Sequence, residues 1–385
     1  MKAIDRYAGQ VLCALLRTHD RLSSEQAAPK NLDRILVIKF WGMGGLILSV
    51  PVFKTLHRAY PDSQIHLATL ASNREICEVL KLADSYQFLD LAGPSSYIPV
   101  KITRFLNQVR NIHAQAVIDL EYLTRFSAMV SYISGAPLRV GFHSGHVWRG
   151  SLHNRRVAFS PYWHARDNFL NLVRQLDDKT EPVREIEIPV TDTAKTEARK
   201  ALEDAGVRAD ETILVVNPNA GTLALERRWP EDYFVALLDR IINAGLGTPV
   251  LIGGADEAEY VRGLHHQLAD HARCLNLAGR LNLQGLIGLL KRASVLITND
   301  SGPLHLASLT RTPTVSFFGP ETPVLFGPTG KNHTVLYKDI DCSPCINIYN
   351  AKTVHCLKDR PECLYAISVN EAFQAVEERL AQGRD

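Results

Sequence analysis

Leu296-Ile-Thr-Asn-Asp300-Ser-Gly-Pro-Leu-His305 is the stretch on which the fold turns. The apolar run Ala293-Ser-Val-Leu-Ile297 leads into it, with the pattern of a short strand buried in a sheet. Thr298 to Gly302 are small, polar and turn-forming. Pro303 then falls where the first turn of a helix tolerates a residue without an N–H. The spacing predicts a strand, a polar turn and a helix from about Leu304 to Leu309. Spare N–H groups at such a helix start bind anions, phosphate among them. Asp300 and His305 stand at this turn, where they also fit a helix cap and a core histidine.

The same unit recurs along the chain. In the first half, strands are predicted at 34–39, 64–70, 87–91, 116–120 and 139–142. Helices between them are expected at 46–60, with Pro51 a kink, and at 73–80, 100–112 and 126–134. In the second half, strands at 212–216, 249–252 and 314–318 accompany the one before Asp300, with helices at 231–244, 283–291 and 369–380. Strand and helix in alternation mean a parallel sheet covered on both faces. At 385 residues the chain can bury two such cores. The expected division is an N-terminal helix and linker over 1–30, a first domain over 31–188 and a second over 189–385, the boundary lying in the polar stretch 177–188.

Composition narrows the class. A hydrophobic fraction of 46% with 22% charged residues is that of a soluble globular protein. No run reaches the roughly 18 apolar residues of a spanning helix, and the N-terminus lacks the features of a signal peptide. Net charge is +2, but residues 1–190 carry 23 Lys+Arg against 17 Asp+Glu and the remainder 20 against 24. The basic half fits an acidic partner surface, or merely solvated charge. Residues 1–22 place Ile4, Tyr7, Val11, Leu15 and Leu22 at near-helical spacing, flanked by Lys2, Arg6, Arg17 and Arg21. Such a helix lies on an anionic membrane or packs on its own domain. No nucleic-acid partner is expected. Isolated Cys13, Cys77 and Cys274 point to a reducing cytosol. Cys342-x2-Cys345-x10-Cys356-x6-Cys363, inside the loop 337–364, has the count and part of the spacing of a structural zinc site, with His355 an alternative ligand. Disulfides and free thiols fit as well.

Several loops carry candidate chemistry. Phe40 to Gly45 is glycine-rich after the first strand, so backbone there can approach a ligand closely. Asp119 and Glu121 lie at a strand's C-terminal end, where open parallel sheets keep functional groups. Residues 143–166 mix His143, His146, Arg149, His153, Arg155, Arg156, His164 and Arg166 with Trp148, Tyr162 and Trp163. That mixture can hold phosphate and stack on sugar rings, or be a solvated loop. Asn217-Pro-Asn-Ala-Gly-Thr222, followed by Arg227 and Arg228 ahead of a helix, suits a diphosphate. Asp256 and Glu257 follow a strand, where an acid holds ribose hydroxyls or stabilises a helix start.

Taken together, LVIKFWGMGGLILSVPVFKTLHRAYPDSQI, VIDLEYLTRFSAMVSYISGAPLRVGF, NPNAGTLALERRWPEDYF, VLIGGADE, NLAGRLNL, LITNDSGPLHLASL and TPTVSFFGPETPVLFGPTG resemble the heptosyltransferases of lipopolysaccharide synthesis, glycosyltransferase family 9, in order from about Arg34 to Gly330. The resemblance implies the GT-B fold, an α/β architecture of two Rossmann-like domains facing a cleft. It implies inverting transfer, with no cofactor required, from a nucleotide-diphosphate sugar, usually ADP-heptose, to a lipid-linked saccharide at the cytoplasmic membrane face. The donor site implied is Asn219, Gly221, Thr222, Arg227, Asp256, Glu257, Asp300, Ser301, Gly302 and His305. Acceptor contacts are expected from Lys39, Trp41, Gly44, Gly45, Arg125 and His143. Arg227 replaces the family's phosphate-binding lysine, which keeps the charge and changes its geometry. Where the family carries Gly-Asp, its aspartate the expected general base, this chain has Gly44-Gly45. Another carboxylate must then take the acceptor's proton: Glu121 is the first candidate and Asp119 the second. A GT-B sugar-nucleotide epimerase and a non-catalytic nucleotide-sugar-binding protein are the alternatives.

Overall fold

A computed structural model describes residues 2–22, 29, 31–221, 224–348 and 356–383. The chain divides into two compact units, Met1–Ile186 and Glu187–Asp385.

The first unit runs α1 (Lys2–Leu22), β1 (Arg34–Ile38), α2 (Met43–Leu48), α3 (Val50–Ala59), β2 (Gln64–Leu70), α4 (Arg74–Leu80), β3 (Ser85–Leu89), α5 (Ile98–Asn111), β4 (Ala116–Asp119), α6 (Arg125–Ile133), β5 (Leu138–His143), β6 (Arg155–Ala158) and α7 (Ala165–Val173). Its parallel sheet has the order β3-β2-β1-β4-β5-β6. β1 and β4 are its central strands, and their apolar residues are buried on both faces. The helix expected over 46–60 is two helices meeting at Ser49, with Pro51 in the first turn of α3, where its missing N–H costs nothing. The segment 143–166, expected to be one loop, contains β6, paired with β5.

The N-terminal helix α1 packs on α6, burying Cys13 against Ala128 and Leu152. Its Asp5 carboxylate accepts from the Arg125 N–H (3.2 Å) and the Phe126 N–H (2.8 Å). Thr124, at the N-cap of α6, makes no side-chain cap bond, so a residue far away in sequence satisfies those donors.

The second unit runs α8 (Asp192–Glu203), β7 (Ile213–Asn217), α9 (Glu231–Ala244), β8 (Thr248–Leu251), α10 (Ala258–His266), β9 (Leu275–Asn276), α11 (Leu283–Arg292), β10 (Val295–Asn299), α12 (Gly302–Thr310), β11 (Thr314–Phe318), α13 (Pro323–Phe326), β12 (His333–Tyr337), α14 (Glu362–Tyr365) and α15 (Val369–Gln382). Its parallel order is β12-β11-β10-β7-β8-β9. α8 and α11 pack so closely that a Cβ on Gly288 would stand 2.0 Å from the Ala194 carbonyl oxygen. Trp229 is fully buried, stacked on Phe317 at 4.3 Å between ring centroids, with its Nε1–H donating to the Ile367 carbonyl at 3.0 Å. This anchor pins the segment carrying Arg227 to the sheet.

Candidate active site

In the second unit the chain runs outward from β7 through β8 to β9, then returns to place β10 on the other side of β7. Connections leave β7 and β10 in opposite directions, which opens a crevice at their C-terminal ends; open α/β sheets bind ligands at such points. The stretches 217–227 and 298–305 meet there. The Asn217 Nδ2 donates to Thr298 Oγ1 (3.1 Å) and Ser301 Oγ (2.9 Å). Asn299 Nδ2 donates to the carbonyls of Pro218 (2.9 Å) and Asn219 (3.3 Å), while Asn299 Oδ1 accepts from the Trp229 N–H at 2.9 Å. The two strand-end asparagines therefore tie the loop after β7 to the turn before α12.

Arg227 lies at the end of a short helical turn, Leu225–Arg227. Its Nη1 donates to Asp300 Oδ2 at 3.1 Å and its Nη2 to the Ala220 carbonyl at 2.6 Å. Asp300 is buried and the guanidinium only partly so. Five N–H groups make the guanidinium a fork, so donors remain for an anion after these bonds. Ser301 is the N-cap of α12 yet makes no side-chain cap bond, its hydroxyl being held by Asn217 and Thr298. Gly302 opens α12, and His305 is buried within it. Gly221 takes a left-handed backbone conformation (φ 65°) that suits glycine beside Arg227. Thr222 lies outside the described residues.

Beside this crevice, Asn219 Nδ2 donates to the Ile252 carbonyl at 3.1 Å, and a Cβ on Gly253 would come within 2.8 Å of it. The turn after β8 is thus adjacent. In that turn Glu257 reaches back to the Gly254 N–H at 3.0 Å, a helix-start contact, while Asp256 is exposed.

The first unit has its own switch point, between β1 and β4. Glu121, just past β4, is buried and its Oε1 accepts three bonds: from Lys39 Nζ (2.8 Å), the Phe40 N–H (2.7 Å) and the Trp41 N–H (3.0 Å). Among the described residues nothing donates to its Oε2. Lys39, 1% exposed, also donates to the Trp41 carbonyl at 2.6 Å. A Cβ on Gly45 would stand 2.7 Å from Lys39 Cε and 3.2 Å from Nζ. The lysine tip thus fills the space beside Gly45 that a side chain there would need. Gly44 and Gly45 both lie in α2. Trp41 is half-buried against Phe40 and Phe126.

Asp119 is fully buried in a different network. Its carboxylate accepts from Arg149 Nη2, from Ser127 Oγ (2.8 Å) and from the Glu121 N–H (3.0 Å), and His153 Nε2 stands 3.1 Å away. Burial alone would raise the Asp119 pKa; Arg149, with help from His153, outweighs it and leaves the carboxyl below its ordinary value. Burial, then Arg149, lowers the His153 pKa. Asp119 offers no open face to a substrate. It holds the β5–β6 loop and, through the Glu121 N–H, the backbone at the end of β4.

That network withdraws two members of the basic and aromatic segment 143–166 from solvent, while Trp148, Tyr162 and Trp163 stay exposed. Arg149 and His153 turn inward to Asp119, His164 caps α7, and Arg155 and Arg156 lie on β6. Of the acceptor candidates, His143 ends β5 exposed, whereas Arg125 is buried, with its side chain in the path of any Cβ on Gly9 of α1.

Cys342, Cys345, Cys356 and Cys363 are all unpaired thiols. Among the described residues no three His, Cys, Asp or Glu side chains group closely enough to hold a metal ion, and His355 lies outside them. The arrangement does not fit the expected zinc site. Burial pushes the Cys363 thiol up to about 11, and the neighbouring Cys345 adds to the rise.

Asn217, Thr298 and Asn299 organise the crevice, and their signal in the sequence is a polar residue ending an otherwise apolar strand.

Residues 102–354 match glycosyltransferase family 9 (heptosyltransferase). The chain is 26% identical over 324 residues to lipopolysaccharide heptosyltransferase 1 of Pseudomonas aeruginosa, covering 81% of this chain and 86% of that one. Its fold is similar to that of a family 9 glycosyl transferase from Veillonella parvula, with a TM-score of 0.74 and 22% identity over 93% of this chain and all of the other. It is also similar to the Escherichia coli ADP-heptose lipopolysaccharide heptosyltransferase II, with a TM-score of 0.71 and 20% identity over 91% of this chain and 99% of that one. The two parallel sheets are those of the GT-B fold, and the chain belongs to glycosyltransferase family 9, a family of sugar-transferring enzymes.

Proposed function

We propose that the protein moves heptose or a related sugar from an ADP-linked donor to a lipid-linked saccharide of lipopolysaccharide type, with inversion, at the cytoplasmic face of a membrane. The observation that carries the donor half is the convergence of Arg227 with the start of α12 at the β7–β10 switch point. The donor's diphosphate takes the free N–H groups of Arg227 and of the first turn of α12, which supply cationic and dipolar stabilisation as the leaving group gains charge. Asn219, Gly221 and the Gly302 backbone shape that pocket; Asp256 and Glu257, on the adjacent turn, serve the ribose hydroxyls. The likeness to an enzyme described as an ADP-heptose transferase supports ADP-heptose as first choice.

The acceptor hydroxyl attacks the anomeric carbon while the bond to the diphosphate breaks, and its proton passes to Glu121. Nucleoside diphosphate and the extended saccharide are the products. Lys39, Trp41, Gly44 and Gly45 form the loop held by Glu121 on which the acceptor rests, with His143 at the next strand end. No helix among the described residues is long and apolar enough to cross a membrane.

Thermal shift against ADP-heptose and UDP- and GDP-sugars tests the donor, because a ligand stabilises the fold according to its affinity. Charge-assisted hydrogen bonds contribute about 1.5–3 kcal/mol each. Arg227→Ala is therefore expected to weaken donor binding about tenfold to a hundredfold, and Arg227→Lys less. Equal affinity in wild type and Arg227→Ala would remove Arg227 from the site. Release of ADP that requires acceptor is the expected signature of transfer; interconversion of the donor without acceptor would instead make the protein an epimerase.

A further inference from the structure

One surface lies outside the residues assigned to glycosyl transfer. On α1, Gly9 and Cys13 face inward and Leu16 packs beside them, while Val11 is 62% exposed, Leu12 47% and Leu15 61%. Residues 8, 11, 12 and 15 follow the i, i+3, i+4, i+7 rule, so Ala8 and these three make one apolar stripe turned away from the protein. The loop after β5 extends it. A Cβ on Gly150 would come within 2.7 Å of the Cys13 carbonyl oxygen, so this loop packs directly on the helix. It presents Trp148, 37% exposed, with the Arg17 guanidinium 5.9 Å from the ring centroid.

Charge selects the occupant. From Lys2 to Leu22 the helix carries four basic residues, Lys2, Arg6, Arg17 and Arg21, against two acidic ones, Asp5 and Asp20. Asp5 is committed to the start of α6. Three aliphatic side chains and one partly exposed tryptophan are too few for a stable dimer, which needs about 800 Å² per partner. They are enough for interfacial seating on lipid, where apolar side chains enter the acyl boundary and basic and aromatic groups stay at headgroup level.

We propose that the α1–Trp148 surface docks the protein on an anionic bilayer, with Val11, Leu12 and Leu15 entering the monolayer and Arg17 and Trp148 at its rim. α1 is held by its inner face and by Asp5, so the first unit is seated rigidly. The proposal concerns the membrane alone and does not depend on the identity of donor or acceptor.

Co-sedimentation of the full chain, without nucleotide or saccharide, with phosphatidylcholine vesicles containing or lacking phosphatidylglycerol is the test. Wild type is expected to sediment with the anionic vesicles and to be released as salt rises. The triple variant Val11→Ser, Leu12→Ser, Leu15→Ser is expected to lose at least about tenfold in partitioning, a loss of 1.4 kcal/mol or more, with donor-induced thermal shift unchanged. Arg17→Glu is expected to reduce binding to anionic vesicles only. The proposal is overturned if wild type shows no preference for anionic vesicles, or if the triple variant binds as well as wild type. It is equally overturned if the wild type is a dimer that the triple variant splits and neither protein binds vesicles.

Discussion

Glu121→Gln is expected to lower kcat for sugar transfer by about 10²–10⁴-fold, the usual worth of a positioned general base, with the affinity for the donor unchanged. The geometry separates the two oxygens of this carboxylate. Oε1 is occupied by Lys39 and two backbone N–H groups, and Oε2 receives no bond among the described residues. One oxygen orients the group and the other can accept the proton. Glutamine keeps an acceptor at Oε1 and so keeps most of the loop's support, but it cannot take a proton. Single-turnover kinetics with saturating donor, beside the thermal shift, read the two effects apart. A variant that transfers at the wild-type rate would eliminate Glu121 as the base. Gly45→Asp adds a companion expectation. The lysine tip that fills this space is flexible and can swing away from a new Cβ. A carboxylate at residue 45, the position the resemblance assigns to the family's aspartate, is expected to restore part of the rate to Glu121→Gln.

Asp119→Asn is expected to destabilise the first unit by about 3–5 kcal/mol, the cost of leaving a buried charge without its partner. Arg149 is nearly enclosed, and asparagine can accept its hydrogen bond but cannot neutralise it. Urea denaturation at neutral pH measures this. The pH dependence has a definite sign. The folded Asp119 pKa lies below its unfolded value, so its contribution is complete above the ordinary carboxylate range and disappears as pH falls through it. His153, also lowered, is neutral in the fold, so its contribution begins to fall once pH drops below the ordinary histidine value of about 6.5 and the unfolded chain takes up the proton. Wild-type stability should therefore decline on acidification from near that pH. In Asp119→Asn the carboxylate part of the decline should be missing. A variant as stable as wild type would show that Arg149 reaches solvent.

Much of the fold was legible in the residues. The central strands β1, β4, β7, β10 and β11 are apolar runs because a parallel strand inside a covered sheet is dry on both faces. Their polar C-terminal turns, from Asn217 to Arg227 and from Thr298 to His305, announced the donor-side residues for the same reason: a strand must stop being apolar where it leaves the core. β6, β9 and β12 escaped. The first is Arg155-Arg-Val-Ala158, the second is two residues long, and the third is only half-buried. All three are edge strands, which bury less and so carry a weaker pattern.

Local pattern, then, determined the alternation of strand and helix and the two loops that end at Arg227 and Asp300, since burial and turn chemistry act over a few residues. Tertiary structure alone decided which charges are used up. Arg149 and His153 look like surface residues in a basic loop until packing brings Asp119 to them across 30 or more positions of chain. Lys39 and Glu121, 82 residues apart, become a buried pair only because β1 and β4 are neighbours. Ion pairs of this kind depend on distance in space, and a sequence states only distance along the chain.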